Sequence, residues 1–343
     1  MRRDALRLSI TLLSVLPAAG RRPGTVSSPA ENTKKPAENT KKEVRPGLFG
    51  GTGRLPGRFP GRFPGRPGQP AGPAGPGGEA RPPWEVAEPP PGAAAPGGAP
   101  SPALAAPDRE TAGEAMAWAP VVGLLLGVIA AAVLYVSGHL LHTGSLVAAA
   151  LSVGSLAVLS RALHLDGLAD LADGLGSRKP AAAALDIMRR SDIGPFGVVT
   201  VVLTLLLQVA GLTQADAAGR GPAAVIVAAV TGRLAITWAC RQGVRAARPE
   251  GLGALVAGTL PPVVPALITA AVLAVTIGGI YLAAGVAAVP VEWILPVAEA
   301  AGVLAALALA RHAVRRLGGV TGDVLGALVE TATAACLVVT AMS

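Results

Sequence analysis

Hydrophobic and polar positions fall along this chain in long blocks. From Met116 onward, apolar runs occupy about 116–136, 144–163, 196–215, 222–240, 263–288, 293–310 and 324–342, with short polar stretches between them. Each run approaches the roughly 20 residues with which an α-helix crosses the hydrocarbon core of a bilayer. Glycine, alanine, serine and threonine recur inside the runs, as close helix–helix contact in lipid requires. Pro261-Pro262 stops any helix before the 263–288 run. The pattern predicts an all-α fold: a polytopic integral-membrane helical bundle of about seven transmembrane helices over residues 114–343.

The first third reads differently. Residues 1–19 hold Arg2, Arg3 and Arg7, then an apolar stretch from Leu8 to Leu16, with Arg21 and Arg22 just beyond. That composition suits a signal peptide or a short re-entrant or interfacial helix. Basic residues on both flanks favour the second. Residues 20–113 are of low complexity: Pro-Ala-Glu-Asn-Thr-Lys-Lys occurs twice in tandem from Pro29, and 20 of the chain's 31 prolines lie here. Such a stretch buries too little apolar surface to offset its ordering entropy, so it reads as a disordered Pro/Gly-rich insertion. Glycine lacks the strict every-third-residue period of collagen.

Composition supports the membrane reading, since only 15% of residues are charged against about 25% in soluble proteins. The net charge of +8 sits mostly in the insertion: residues 1–113 carry 16 Lys/Arg against 9 Asp/Glu, and residues 114–343 carry 13 against 12. Little aromatic interleaving accompanies it, so no specific nucleic-acid partner is expected. Cys240 and Cys336 lie in or beside apolar runs and read as small packing residues. Within the bundle, Lys and Arg cluster in the 161–195, 241–253 and 311–323 loops, whereas the intervening connections hold Arg220 alone. By the positive-inside rule the three basic loops face the cytoplasm, and alternation puts the insertion there too.

All the polar motifs fall in those three loops. His164-Leu-Asp166-Gly-Leu-Ala-Asp170-Leu-Ala-Asp173-Gly174 places three carboxylates at i, i+4 and i+7. On a helix these steps rotate by about 40° and about −20°, so the three share one face. Carboxylates converging beside an apolar run repel one another unless a cation lies between them, and Mg²⁺ carrying phosphate oxygens is the natural candidate. A solvated acidic helix start is the plainer alternative. Downstream, Arg189 and Arg190 offer guanidinium forks to phosphate, Ser191 a hydroxyl, and Asp192 a further metal ligand. A positive-inside cluster before a helix start explains the same residues. Arg233, in the middle of an apolar run, must face the interior and pair with a carboxylate or a substrate phosphate. The stretch from Arg315 to Asp323, with Gly318 and Gly319, suits a phosphate-cradling loop; Arg316 and Thr321 are its candidate binding residues and Asp323 a candidate metal ligand. His164 is a candidate general base. The Arg248-to-Gly253 loop carries little signal alone.

These motifs resemble the cobalamin synthase family, the adenosylcobinamide-GDP ribazoletransferases. The resemblance rests on the His164–Gly174 motif, on Ile187-Met188 with Ser191 and Ile193-Gly194-x-x-Gly197, on Gly232-Arg233, on Gly251-Leu252-Gly253 and on Gly318–Asp323, in family order over residues 116–343. Family members often read Met-Lys-Asp-Ser-Arg-Ile-Gly where this chain has Met188-Arg-Arg-Ser-Asp-Ile-Gly194. Acid and base stand exchanged across Ser191, and the 20–113 insertion has no counterpart. The resemblance implies a multi-pass plasma-membrane transferase with its site facing the cytoplasm. It would use Mg²⁺ to join adenosylcobinamide-GDP to α-ribazole or its 5′-phosphate, releasing GMP. It implies catalytic or metal-binding roles for His164, Asp166, Asp170 and Asp173 and carries over the 188–194 region as a whole, while residue chemistry makes Asp192 and Asp323 candidate metal ligands and Arg189, Arg190, Ser191, Arg233, Arg316 and Thr321 candidate phosphate-binding residues. A homo-oligomer is compatible with it. A CDP-alcohol phosphotransferase also clusters aspartates on membrane helices, but its Asp-Gly-x-x-Ala-Arg signature is broken here at Asp170-Leu171. A transporter would place its carboxylates at the midplane of inverted repeats, and no such repeat is visible.

Overall fold

A computed structural model describes residues 108–287 and 293–342. The expected N-terminal helix at 1–19 and the 20–113 insertion lie almost wholly outside these residues. The described chain is helical, with two isolated β-bridges as its only strand-like pairings. Its elements are α1 (Arg109–Ala117), α2 (Ala119–Tyr135), α3 (Ser145–Leu159), α4 (Leu163–Gly176), α5 (Ala181–Ile187), α6 (Pro195–Ala217), α7 (Gly221–Ala239), α8 (Leu252–Val256), α9 (Val263–Ala287), α10 (Ile294–Leu317) and α11 (Gly322–Thr340).

Six helical stretches are long and apolar enough to cross a membrane: 119–140, 195–217, 221–239, 263–282, 294–317 and 322–340. Six of the apolar runs therefore mark such helices to within about seven residues, and the run expected over 144–163 makes a seventh if its bent helix pair is one span. There α3 ends at Leu159 and the chain bends by 87° into α4. Ser160 Oγ donates to the Leu156 carbonyl at 2.8 Å, Ala162 N donates to the Ala157 carbonyl at 2.7 Å, and Arg161 and Ala162 both sit at φ 55°. Left-handed backbone at a residue bearing Cβ costs about 1–2 kcal/mol, so packing around the bend must hold it. α1 also precedes the first apolar run, capped by Asp108, whose Oδ1 accepts from Thr111 N at 2.7 Å.

The spans pack backbone to backbone. A Cβ at Gly123 would stand 2.7 Å from the Ala229 carbonyl oxygen and one at Gly127 2.9 Å from Ile226 Cα. This Gly-x-x-x-Gly pair lets α2 lie directly on α7. α11 occupies the centre, touching α4, α6, α7 and α10, with Val324, Leu328, Val329 and Leu337 buried. Cys240 and Cys336 are buried free thiols, as packing residues should be.

The helices run so that the 159–195, 240–262 and 318–321 connections share one end of the bundle. α4 turns there and lies against the first turns of α6 and α11. At the opposite end, the Arg220 guanidinium donates twice to the Thr340 carbonyl, at 3.1 and 3.0 Å, closing the C-terminal turn of α11.

Candidate active site

Three segments distant in sequence are tied together at this end. The 318–321 loop follows α10 through Gly318 at φ 85°. Val320 N then donates to the Arg245 carbonyl at 2.8 Å, and Ala247 N to the Val320 carbonyl at 3.0 Å, a short parallel bridge. Thr321 caps α11, its hydroxyl accepting from Val324 N at 3.2 Å and donating to Asp323 Oδ2 at 3.1 Å. α4 closes the third side. A Cβ at Gly167 would meet the Asp323 backbone at 2.7 Å, so glycine is what lets the acidic helix touch the start of α11.

A cleft of about 270 Å³ opens where the three meet. Its polar lining comprises His164 and Asp166 from α4, Arg248 and Glu250 from the middle loop, and Thr321 and Asp323 from the last. Arg248 Nη1 stands 3.9 Å from Asp323 Oδ2, and its Nη2 donates to the Leu185 carbonyl, which holds the guanidinium across the cleft. Arg248 is the residue that sequence reading undervalued. Its one signal was a glycine-rich loop, and only the fold brings that loop to Asp323.

The acidic helix divides its three aspartates. Asp173 faces the start of α6, where one carboxylate oxygen accepts from Gly194 N at 2.7 Å and the other from Gly197 N at 3.0 Å. It caps a span whose first four N–H groups would otherwise be unpaired. Asp166 and Asp170 look toward Asp323. Burial first, then the charges of Asp166, Asp323 and Asp173, push the Asp170 carboxyl from its ordinary value near 3.8 up to about 7, against the pull of Arg248. That is a cluster of carboxylates whose mutual repulsion Arg248 offsets only in part. Among the described residues, no three His, Cys, Asp or Glu side chains are close enough together to hold a metal unaided. Mg²⁺ commonly takes one or two carboxylates and draws its other ligands from substrate phosphate and water, so one or two of Asp166, Asp170 and Asp323, with phosphate completing the set, fit that ion.

His164 is 3% exposed, and its Nδ1 has no hydrogen-bond partner. Burial, then the nearby Arg233 charge, hold its imidazole well below the ordinary value, so it is neutral. Arg233 is equally buried and faces the bundle interior, as its position in an apolar run demands. It lines a small cavity with Gln208 and Glu330, and Gln208 Nε2 donates to Glu330 Oε2 at 2.8 Å. Glu330 is thus the carboxylate whose charge bears on this arginine, and their small cavity lies against α4 at Leu165, separate from the cleft but next to His164.

The remaining candidates sit at the rim or beyond. Arg189 is paired with Glu250, which brings it to the edge of the cleft. Arg190, Ser191 and Asp192 are exposed in the turn between α5 and α6. Arg316 donates to the Lys179 carbonyl at 3.4 Å, joining the end of α10 to the α4–α5 connection.

Residues 99–341 match the family model for cobalamin-5-phosphate synthase. The chain is similar to the adenosylcobinamide-GDP ribazoletransferase of Frankia casuarinae, 44% identical over 69% of this chain and 87% of that protein. It is similar to the enzymes of the same name from Nocardioides sp., 41% identical over 67% of this chain and 87% of the relative, and Corynebacterium efficiens, 36% identical over 69% and 84%. No solved structure matches. The match spans every segment that builds the cleft, and the chain belongs to the cobalamin-5-phosphate synthase family.

Proposed function

We propose that this chain is a membrane ribazoletransferase that joins adenosylcobinamide-GDP to α-ribazole, or to α-ribazole 5′-phosphate, and releases GMP. The observation that carries the reading is the cleft in which Asp166, Arg248 and Asp323 meet, built wholly from segments inside the family match. The basic loops at this end argue that the cleft faces the cytoplasm across the plasma membrane.

In the reaction, a ribose hydroxyl of the ribazole attacks the cobinamide-side phosphorus. The bond from that phosphorus to the bridging oxygen breaks, and the electron pair leaves with GMP. The hydroxyl proton passes to an aspartate of the cleft, because burial and the nearby Arg233 charge disfavour the protonated imidazolium at His164. Arg248 and, at the rim, Arg189 supply guanidinium forks to the phosphate oxygens. One or two of Asp166, Asp170 and Asp323 would hold Mg²⁺ together with substrate phosphate, and the ion would supply positive charge to the pyrophosphate and the departing phosphate. Asp173 acts through the capping of α6, which fixes α4 against the bundle. The Arg233 charge helps keep the His164 imidazole neutral.

The test is direct. Purified protein in lipid vesicles receives adenosylcobinamide-GDP, α-ribazole and Mg²⁺, and GMP and the cobalamin product are measured by chromatography. Equimolar formation of both is expected, with loss on chelation by EDTA and recovery with added Mg²⁺. Folded protein that makes neither product would overturn the proposal.

A further inference from the structure

The cleft has an apolar half that the phosphate chemistry does not use. Met116 from α1, Ile236 from α7 and Leu325 from α11 line it and are no more than 2% exposed, so they form its back. Leu252 is half-buried, and Leu163, 51% exposed, stands at its mouth. Met116 is fixed in place because Thr237 Oγ1 donates to its carbonyl at 3.0 Å. Of the fully buried side chains in the lining only His164 and Thr321 are polar, and the Thr321 hydroxyl is committed to the α11 cap and to Asp323.

Size limits what can enter. At about 270 Å³ the cleft falls just below the range of roughly 300–1,000 Å³ that encloses drug-sized ligands. It takes a nucleoside-sized piece, and a corrin ring with its amide arms must stay outside. Polarity then chooses between the two nucleosides of the reaction. Guanine carries a hydrogen-bonding edge of several donors and acceptors, which an apolar wall would leave unpaired at high cost. The benzimidazole-type base of α-ribazole carries a single free ring nitrogen and an otherwise apolar flat surface.

We infer that the apolar half of the cleft, between Met116, Ile236, Leu325 and Leu252, seats the base of the acceptor nucleoside, its ribose toward Asp166 and Asp323, while the guanosine and corrinoid parts of the donor bind outside it. This rests on the ribazoletransferase reading. Two variants narrow the cleft from half-buried or exposed positions, Leu252→Trp and Leu163→Trp. For each, KM is measured for α-ribazole and for adenosylcobinamide-GDP with the other substrate saturating. The expected result is a rise of at least about tenfold in KM for α-ribazole, with KM for the donor within about twofold of the parent. A rise confined to the donor, an equal rise in both, or no change in either overturns the assignment.

A measurement without substitutions stands beside these. Equilibrium dialysis of the parent protein with α-ribazole is repeated with excess GMP. Retention of α-ribazole is expected, and its displacement by GMP overturns the inference. If the parent forms no GMP in the vesicle assay, the ribazoletransferase reading itself has failed. If the parent turns over and the KM values move otherwise than stated, only the seat of the base has been misassigned.

Discussion

Gly167→Ala is the sharpest test of how the site is built. The added methyl would lie 2.7 Å from the Asp323 carbonyl oxygen, 2.9 Å from its Cα and 3.2 Å from its carbonyl carbon. All three are backbone atoms and cannot rotate aside. Restoring ordinary contact, which begins at 3.4 Å, requires α4 and α11 to separate by about 0.7 Å. Overpacking of this kind costs about 1–3 kcal/mol, and the better helix propensity of alanine returns about 0.5–1 kcal/mol. The net loss should reach at most about 2.5 kcal/mol, a fall of up to several degrees in Tm. The larger effect falls on activity, because the shift moves Asp166 and Asp170 away from Asp323. A misplacement near 1 Å costs on the order of 100-fold, so kcat/KM for GMP release should fall about 10- to 100-fold. Gly154→Ala on α3 is the matched control, since a Cβ there meets nothing within 4 Å. It should keep full turnover and an equal or higher Tm. Parent-like turnover and melting in Gly167→Ala would refute the claim that this contact aligns the site.

Other expectations follow from the same geometry. Asp173→Ala removes both acceptors at the start of α6 and should cost about 0.5–2 kcal/mol in thermal melts, with Asp173→Asn losing less; equal stability of all three proteins would remove Asp173 from its capping role. Asp170, raised to about 7 in the folded chain, binds a proton that the unfolded chain releases near 3.8. Folded-state stability in metal-free buffer should therefore decline as pH rises between those values, and Asp170→Asn should flatten the decline; an unchanged slope would count against the charge cluster. Arg248→Met takes away the guanidinium that spans Asp323 and the Leu185 carbonyl, and turnover should drop about 100-fold while the protein stays folded. Near-parent turnover would show that this arginine does not serve the phosphates.

Much of this was readable from residue order. Six of the seven apolar runs became long helices because apolar length alone decides what crosses a bilayer, and Arg233 faced inward because lipid leaves a guanidinium no other choice. The break after Leu159 was hidden. Arg161 and Ala162 hold a left-handed turn without the glycine or proline that usually marks one, so tertiary packing rather than local preference makes the bend. Asp173 shows the limit of spacing arguments. It shares a helical face with its two neighbours, yet a carboxylate goes where unpaired N–H groups are, and Gly194 and Gly197 present theirs. The Gly-x-x-Gly spacing after it was the available clue. Arg248 and Glu330 depend on partners 75 and 97 positions away in Asp323 and Arg233 and carry no local signature.

The central position of α11 has a consequence for biogenesis. Every other element of the cleft emerges from the ribosome before it, yet Asp323 completes the carboxylate set and Glu330 supplies the negative charge near Arg233. Until α11 inserts, α4 has α6 but not α11 to lie on, and a membrane-buried arginine lacks its counter-charge. A chain without α11 thus lacks both Asp323 in the cleft and the Glu330 charge near Arg233, and α11 acts as the latch that completes the site.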